Sequence, residues 1–430
     1  MAAERFPKSM EWLKRAEARI PGASQTFSKG PTQFVRGGSP LFVERARGAR
    51  VWDVDGHSYL DFTMGLCAVT LGYADPDVNA AVARQLERGV LFTLPHPLEA
   101  EVAERLCGMI PCAEMVRFGK NGSDATSGAV RLARAFTGRE VIVACGYHGW
   151  QDWYIGTTTR NLGVPKAVRD LTRTFAYNRI ETLEQVFDEH PGQVAAVIME
   201  PVGVEEPRPG FLEAVRELCT RHGALLIFDE IVTGFRLALG GAQEHFQVVP
   251  DLACFGKGMS NGFPLAALVG RREIMRLLEE VFFSFTAGGE TASLAACLAT
   301  IEKMERRAVI PHLWRQGEQI RDHANRAAEA SGVAGAIRCL GLGPRSVMTF
   351  TTPDGGAWWE LKSLFQQECI RRELLFTGAH NMAFAHGDGE VSAACSIYDE
   401  VFPLVAKAVR RGDVSRRLEG PPVEPVFRQP

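Results

Sequence analysis

Lys257 is the side chain of this sequence best suited to bond covalently to a carbonyl compound. It lies between Gly256 and Gly258, directly after the apolar run Leu252–Phe255. Glycines on both sides leave room for a ligand to approach, and an amine withdrawn from water loses its proton more readily and becomes nucleophilic. A lysine at a strand end can also extend its ammonium group into solvent. Taken alone, the position leaves both interpretations open.

A carboxylate ends another apolar run. Asp229 follows the run Ala224–Phe228 and precedes a second acid, Glu230. A carboxylate placed directly after five apolar residues is costly to bury unless a cationic group pairs with it. The sequence therefore predicts a cationic partner for Asp229.

A loop rich in glycine and hydroxyl groups follows the apolar run Met115–Phe118 and enters a helical stretch. Such a turn offers free backbone N–H groups and the positive end of the helix dipole, which suit a phosphate dianion. Gly122 and Ser123 are the candidates for this contact. The alternative is an ordinary helix cap made by Ser123 or Asp124.

A second loop carries aromatic side chains. The run Val141–Ala144 is followed by Cys145–Trp150, in which Tyr147 and His148 lie between glycines. Either ring can stack on a flat heteroaromatic ligand, although aromatic loop residues also commonly cover the edge of a core.

The four features follow one another along the chain, each at the end of a different apolar run. Pyridoxal phosphate requires this combination: a phosphate anchor, a stacking ring, an acid for its pyridinium nitrogen and an amine for its aldehyde. Few other cofactors need all four. A dinucleotide is disfavoured, because the loop Gly119–Ser123 lacks the G-x-G-x-x-G spacing.

Short apolar runs alternating with amphipathic stretches must position these residues. This pattern predicts a parallel sheet buried on both faces, with ligands bound beyond the carboxyl ends of its strands. An amphipathic helix and a β-meander precede the sheet, and helices with shorter strands follow it from about Ala292. The predicted strands are Met115–Phe118, Val141–Ala144, Val194–Met199, Ala224–Phe228, Leu252–Phe255 and Leu265–Val269.

Composition excludes several classes of protein. Of 430 residues, 46% are hydrophobic and 23% charged, which is typical of globular proteins, and a net charge of −3 offers no field for nucleic acid or anionic lipid. The 10 cysteines form no C-x-x-C pair, so we predict neither disulfides nor a metal site. No apolar stretch approaches the ~18 residues of a membrane span. We therefore expect a cytoplasmic protein.

Several segments resemble class III aminotransferases of fold type I, especially the glutamate-1-semialdehyde aminomutase subgroup. These segments are Phe228–Arg236, Gly240–Gln243, Pro250–Leu252 and Gly256–Gly258. The resemblance implies an α/β large domain over residues 66–300, with a mostly parallel, seven-stranded-type sheet between helices. It also implies a small α+β domain built from the helix and meander of residues 1–65 and from residues 301–430, which end in a proline-rich tail.

The resemblance also implies roles for individual residues. Lys257 forms the Schiff base, Asp229 contacts the pyridine nitrogen, and Glu200 lies near the ring. Thr286 belongs to a segment that reaches the cofactor phosphate of a neighbouring subunit, which implies a homodimer. The remaining implied cofactor contacts are Gly122 and Ser123 at the phosphate and Tyr147 over the ring, with His148 beside it.

Departures from the aminomutase favour an ordinary aminotransferase. Lys29 stands where the aminomutase has an arginine for the substrate carboxylate, Gly378 where it has a glutamate, and Val202–Glu206 replace its polar amide. We expect an amino donor such as glutamate and a ketone or aldehyde acceptor such as an oxo-sugar. Candidate substrate contacts are Lys29, Arg36, Trp150, His380 and Asn381. The alternatives are a 1,2-aminomutase and a regulatory protein that binds pyridoxal phosphate without catalysis.

Overall fold

The computed structural model describes residues 5–427, which form two compact units. Unit 1 combines the chain up to Asp75 with Pro311–Val426, and unit 2 comprises Pro76–Ile310 together with Phe427. The helices in the described range include none long and apolar enough to cross a membrane.

Fourteen strands occur among the described residues. They are β1 (Val43–Arg47), β2 (Arg50–Asp53), β3 (Ser58–Asp61), β4 (Met115–Gly119), β5 (Val141–Cys145), β6 (Thr172–Thr174), β7 (Val194–Met199), β8 (Leu225–Asp229), β9 (Leu252–Phe255), β10 (Ala266–Gly270), β11 (Ile337–Leu342), β12 (Arg345–Phe350), β13 (Leu374–Leu375) and β14 (Ala379–Asn381).

The α-helices vary from one turn to 24 residues. They are Pro7–Glu17, Met64–Cys67, Pro76–Leu86, Pro97–Cys107, Gly122–Thr137, Asp152–Ile155, Lys166–Arg169, Ile180–Glu189, Phe211–His222, Ala242–Phe246, Arg272–Met275, Thr291–Arg306, Val309–Ala330, Trp359–Arg371 and Asp388–Arg411. Short 3₁₀-helices are Pro21–Ala23, Phe27–Lys29, Pro31–Gln33, Lys257–Ser260, Arg276–Glu279 and Ser415–Arg417.

Unit 2 is built on a seven-stranded sheet with the order β4-β10-β9-β8-β7-β5-β6. Strands β5 to β9 run parallel, whereas β10 is antiparallel to both β9 and β4, so β4 runs in the same direction as β5 to β9. Strands β5 and β7 to β10 consist entirely of buried residues, as expected for a sheet covered on both faces. The predicted α/β fold with a mostly parallel sheet is confirmed.

Two sheets form unit 1. Strands β1, β2 and β3 form an antiparallel meander, and β13 adds to β3 in parallel through Leu374 opposite Leu60. The second sheet is antiparallel, in the order β11-β12-β14. The 24-residue helix Asp388–Arg411 contains Pro403 in its interior.

Candidate active site

Five strands of unit 2 have their carboxyl ends on the same side of the sheet, which we call the sheet edge. Because β4, β5, β7, β8 and β9 point the same way, the residues that follow them meet at that edge. These residues are Gly122 and Ser123 after β4, Tyr147 and His148 after β5, Glu200 after β7, Asp229 at the end of β8 and Lys257 after β9. The structure therefore brings together every cofactor contact predicted on a strand end.

The helix Gly122–Thr137 begins at the loop predicted to hold a phosphate. Asp124 accepts hydrogen bonds from the backbone of Asn121 (2.8 Å) and Lys120 (3.0 Å), which fixes the first turn. Within residues 5–427 the backbone amides of Gly122 and Ser123 have no acceptor. A helix N-terminus with free amides fits a phosphate group.

Glycines allow other segments of the same chain to pack closely against the start of this helix. A Cβ on Gly122 would lie 2.4 Å from Cδ1 of Ile231, and one on Gly149 would lie 2.2 Å from Oγ of Ser123. The φ angle of Gly149 is +106°, a backbone conformation that favours glycine. The Ser123 hydroxyl accepts a hydrogen bond from the backbone of Trp150 at 3.3 Å, so the aromatic loop lies directly against the phosphate loop.

An ion pair joins the phosphate loop to a distant turn. Nζ of Lys120 lies 2.9 Å from Oε2 of Glu290, which also caps the helix Thr291–Arg306 by accepting from the backbone of Ala292 at 2.6 Å. Burial alone would raise the pKa of Glu290, but hydrogen bonds from Ser293 and Lys120 and the charge of Lys120 lower it overall. Sequence reasoning missed this pair, although Lys120 directly follows a strand.

Thr286 lies in the turn that precedes Glu290. Its side chain is exposed, and Gly288 donates a backbone hydrogen bond to Phe285 across the turn at 3.0 Å. The neighbouring Phe282 is 77% exposed.

His148 is the polar partner of Asp229. The two residues are 2% and 3% exposed, and Nδ1 of His148 lies 2.8 Å from Oδ2 of Asp229. Nε2 of His148 is buried and has no hydrogen-bond partner among the described residues, so a proton on Nδ1 leaves no buried N–H unsatisfied. The imidazole stacks on Trp153 with ring centroids 6.1 Å apart. His148 therefore donates its Nδ1 proton to the Asp229 carboxylate.

Tyr147, in contrast to His148, is partly exposed to solvent. It is 49% exposed, and its backbone N–H donates to Oε2 of Glu200 at 2.9 Å. Burial of part of the ring, and then the charges of Asp229 and Glu200, raise the pKa of Tyr147. Of the two aromatic candidates in this loop, Tyr147 is therefore the one available to stack on a ligand.

The adjacent Glu230 has a different environment from Asp229. It is fully buried, and its carboxylate accepts from Thr233 and from the backbone of Ala242 (2.7 Å) and Gln243 (2.9 Å). Burial raises the pKa of Glu230, although these hydrogen bonds oppose the shift. Glu230 therefore organises the chain after β8 and does not face a ligand.

Lys257 emerges from β9 in an unusual backbone conformation. Its φ is +45°, which is uncommon and strained for a residue with a side chain, and the chain then enters a 3₁₀ turn over Lys257–Ser260. Lys257 is partly exposed, whereas Gly256 and Gly258 are buried. Free amides, an exposed aromatic ring, a buried carboxylate and an accessible amine at one sheet edge fit pyridoxal phosphate.

The predicted substrate contacts are spread over both units. In unit 2, Trp150 is 65% exposed. In unit 1, Lys29 is exposed, and the exposed Arg36 lies 3.9 Å from Glu17. Asn381 is buried, and its Nδ2 donates to the carbonyl of Thr63 at 3.0 Å.

His380 occupies the interior of unit 1. Its ring nitrogens lie 2.9 Å from Oγ of Ser346 and 2.6 Å from the hydroxyl of Tyr398. Burial lowers the pKa of His380 to about 3, so the ring is neutral at physiological pH. Its polar atoms are engaged with the protein and do not reach the surface of the unit.

The class III aminotransferase family model matches residues 34–345, and the chain belongs to this family. The prediction of an enzyme that uses pyridoxal phosphate to transfer amino groups is therefore confirmed for this chain. Its relatives include the 3-aminobutyryl-CoA aminotransferase of Cloacimonas acidaminovorans, 34% identical over 94% of this chain and 98% of that protein.

The chain is also similar to an aminomutase and to a protein of known structure. The glutamate-1-semialdehyde 2,1-aminomutase of Syntrophobacter fumaroxidans is 40% identical over 81% of this chain and 86% of that protein. Among solved structures, the FumI protein of Sphingopyxis sp. MTA144 aligns with a TM-score of 0.87 and 28% identity, covering 96% of this chain and 99% of that one.

Proposed function

We propose that this protein transfers an amino group between an amino donor and a ketone or aldehyde acceptor at the sheet edge of unit 2. The observation that carries the proposal is the buried Asp229–His148 pair on the same edge as the accessible amine of Lys257. When bound, pyridoxal phosphate supplies an aldehyde that reacts with amines and a ring that accepts electrons from the reacting carbon.

Each side chain of the edge has a proposed task. Lys257 holds the cofactor through its amine and then carries a proton to and from the substrate carbon. Asp229 contacts the pyridine nitrogen, and His148, which donates to Asp229, holds the carboxylate in position. Tyr147 covers the ring, Glu200 positions the Tyr147 loop, and the amides of Gly122 and Ser123 hold the phosphate.

A homodimer completes the proposed site. Thr286 is exposed on its turn beside Phe282 and Phe285, which are 77% and 38% exposed, and large exposed apolar side chains of this kind favour contact with another chain. We propose that this turn packs on a second copy and that Thr286 reaches the phosphate of the partner's cofactor.

For the substrate, we propose an acyl compound that carries its amine on the β-carbon. Support comes from the 3-aminobutyryl-CoA aminotransferase, which this chain matches over nearly its whole length. Glutamate and 2-oxoglutarate are the proposed second pair. The oxo-sugar hypothesis depended on hydrogen bonds from His380 and Asn381. Both ring nitrogens of His380 are engaged inside unit 1, and Nδ2 of Asn381 donates to the carbonyl of Thr63. We therefore leave His380 out of the substrate site.

A 1,2-aminomutase is the second candidate, because an aminomutase is 40% identical to this chain. Lys29 and Gly378 argue against an aminomutase, because they replace the arginine and the glutamate of the aminomutase pattern. A mutase converts its substrate without an external donor or acceptor, so turnover of glutamate-1-semialdehyde alone would favour this candidate.

Cofactor absorbance during single half-reactions tests the proposal. The holoenzyme is mixed separately with 3-aminobutyryl-CoA, 3-aminobutyrate, glutamate and glutamate-1-semialdehyde. We expect a spectral change with the 3-amino compounds and with glutamate, reversed by 2-oxoglutarate. No change with any amine, despite bound cofactor, would instead favour a non-catalytic regulatory protein.

A further inference from the structure

Lys362 is the half-buried lysine of the described chain that has neither an ion-pair partner nor a place at the proposed cofactor site. Five of the nine lysines are exposed. Among the other four, Lys120 pairs with Glu290 at 2.9 Å, Lys303 pairs with Asp77 at 3.1 Å, and Lys257 is the proposed cofactor lysine. Lys362 has no carboxylate within ion-pair distance among residues 5–427.

Two neighbours of the Lys362 amine are Trp359 and Gly378. Nζ lies 5.3 Å from the centre of the Trp359 ring, one turn earlier on the same helix. The carbonyl of Gly378 already accepts from the N–H of Met348 at 2.8 Å. Partial burial without a compensating charge lowers the pKa of Lys362. An ammonium group that is partly withdrawn from water and has no carboxylate partner is stabilised by an anionic ligand.

Gly378 keeps the amine accessible. Its φ is +109°, and a Cβ at this position would lie 3.3 Å from Cε and 3.4 Å from Nζ of Lys362. Any side chain at position 378 would therefore be strained and would cover the amine. Glycine leaves that face of the ammonium group free for another molecule.

We propose that Lys362, between Trp359 and Gly378 in unit 1, binds an anionic oxygen group, carried either by a carboxylate or by a phosphate. The ring of Trp359 supports the cation from one side and the ligand neutralises it from the other. The proposal goes beyond the amino-transfer chemistry of unit 2 and does not depend on it.

Competitive acetylation of the holoenzyme tests the proposal. Trace acetic anhydride is added with sodium butyrate, with inorganic phosphate, or with sodium chloride at the same ionic strength, and acetylation is measured by peptide mass spectrometry. A bound anion that raises the pKa of Lys362 by one unit slows its acetylation about tenfold. The exposed Lys166 is the internal reference and should be unaffected.

The two anions distinguish the sources. Protection by butyrate supports a carboxylate ligand, and protection by phosphate alone supports a phosphorylated one. Protection by neither, with Lys362 acetylated as fast as in chloride, overturns the proposal. As a second measurement, the protecting anion should raise the Tm of the wild type and of Lys166→Met but not of Lys362→Met. An unchanged shift in Lys362→Met would equally overturn it.

Discussion

Nδ1 of His148 lies 2.8 Å from Oδ2 of Asp229, although the two residues are 81 positions apart in the chain. Asp229 ends a strand in the centre of the sheet, and His148 reaches it from the loop after β5. Both residues are almost inaccessible to solvent, and the Asp229 carboxylate also accepts from the backbone N–H of Ile231. The two contacts fix the position of the carboxylate at the proposed cofactor ring.

Replacing His148 should weaken both stability and cofactor binding. His148→Phe keeps a flat ring against Trp153 but removes the donor, and leaving a buried acceptor unpaired costs about 1–3 kcal/mol. We expect the free energy of unfolding of the apoenzyme to fall by that amount and the Kd for pyridoxal phosphate to rise about tenfold. Chemical denaturation and cofactor titration measure the two effects.

A surface pair provides the matched control. His323 and Asp399 are also 2.8 Å apart, but their side chains are 25% and 61% exposed. His323→Phe should change the unfolding free energy by less than ~0.5 kcal/mol, because exposed pairs contribute little. Equal losses in the two variants would contradict the role assigned to burial.

Gly149→Ala tests the close contact between the aromatic loop and the phosphate loop. The new Cβ would lie 2.2 Å from Oγ of Ser123, so we expect loss of cofactor affinity together with a Tm decrease. Gly138→Ala is the control, since Gly138 also has a positive φ (+66°) but nothing within 4 Å. The control should show only the backbone strain of about 1–2 kcal/mol. If both variants keep wild-type cofactor affinity, the loop contact is not needed for binding.

Lys120→Met tests the ion pair with Glu290 through its pH dependence. The folded-state pKa of Glu290 is lowered, so its contribution to stability is present above the unfolded pKa of about 4.3 and is lost as pH falls through the folded value. The Tm difference between wild type and Lys120→Met should therefore be largest at neutral pH and shrink on acidification below that pKa. A difference that stays constant from neutral pH to acid would show that the pair does not titrate as described.

Mixed dimers test the proposed contact of Thr286 with a second subunit. A heterodimer of Lys257→Ala and Thr286→Ala subunits contains one intact site only if Thr286 acts on its partner. Random mixing of the two impaired variants should then restore about a quarter of the wild-type activity. If Thr286 acts within its own subunit, the mixture will show no more than the average of the two variants.

Strands β5 and β7 to β10 were predictable because each is a short apolar run, and full burial on both faces requires that pattern. Strand β6 (Thr172–Thr174) was missed, since three polar residues at the sheet edge carry no such signal. The polar residues that follow these strands were predictable because the end of each apolar run marks the end of a strand.

Contacts between residues that are far apart along the chain were harder to predict from the sequence. The sequence predicted a cationic partner for Asp229 from the apolar run before it, but that His148 is the side chain in contact with it required the fold. Lys120 and Glu290 are 170 positions apart and share no local pattern. His380 was assigned to a substrate site because a histidine in a sequence carries no sign of burial, whereas the structure packs it against Ser346 and Tyr398.

Chemical trapping of the bound cofactor shows whether Lys257 carries it. The holoenzyme is reduced with sodium borohydride, digested and mapped by mass spectrometry, with Lys257→Ala as the control. We expect a pyridoxyl-phosphate label on the peptide that contains Lys257, and on no other peptide. A label on any of the other eight lysines, or an unlabelled Lys257 in protein that binds the cofactor, would show that Lys257 is not the cofactor lysine.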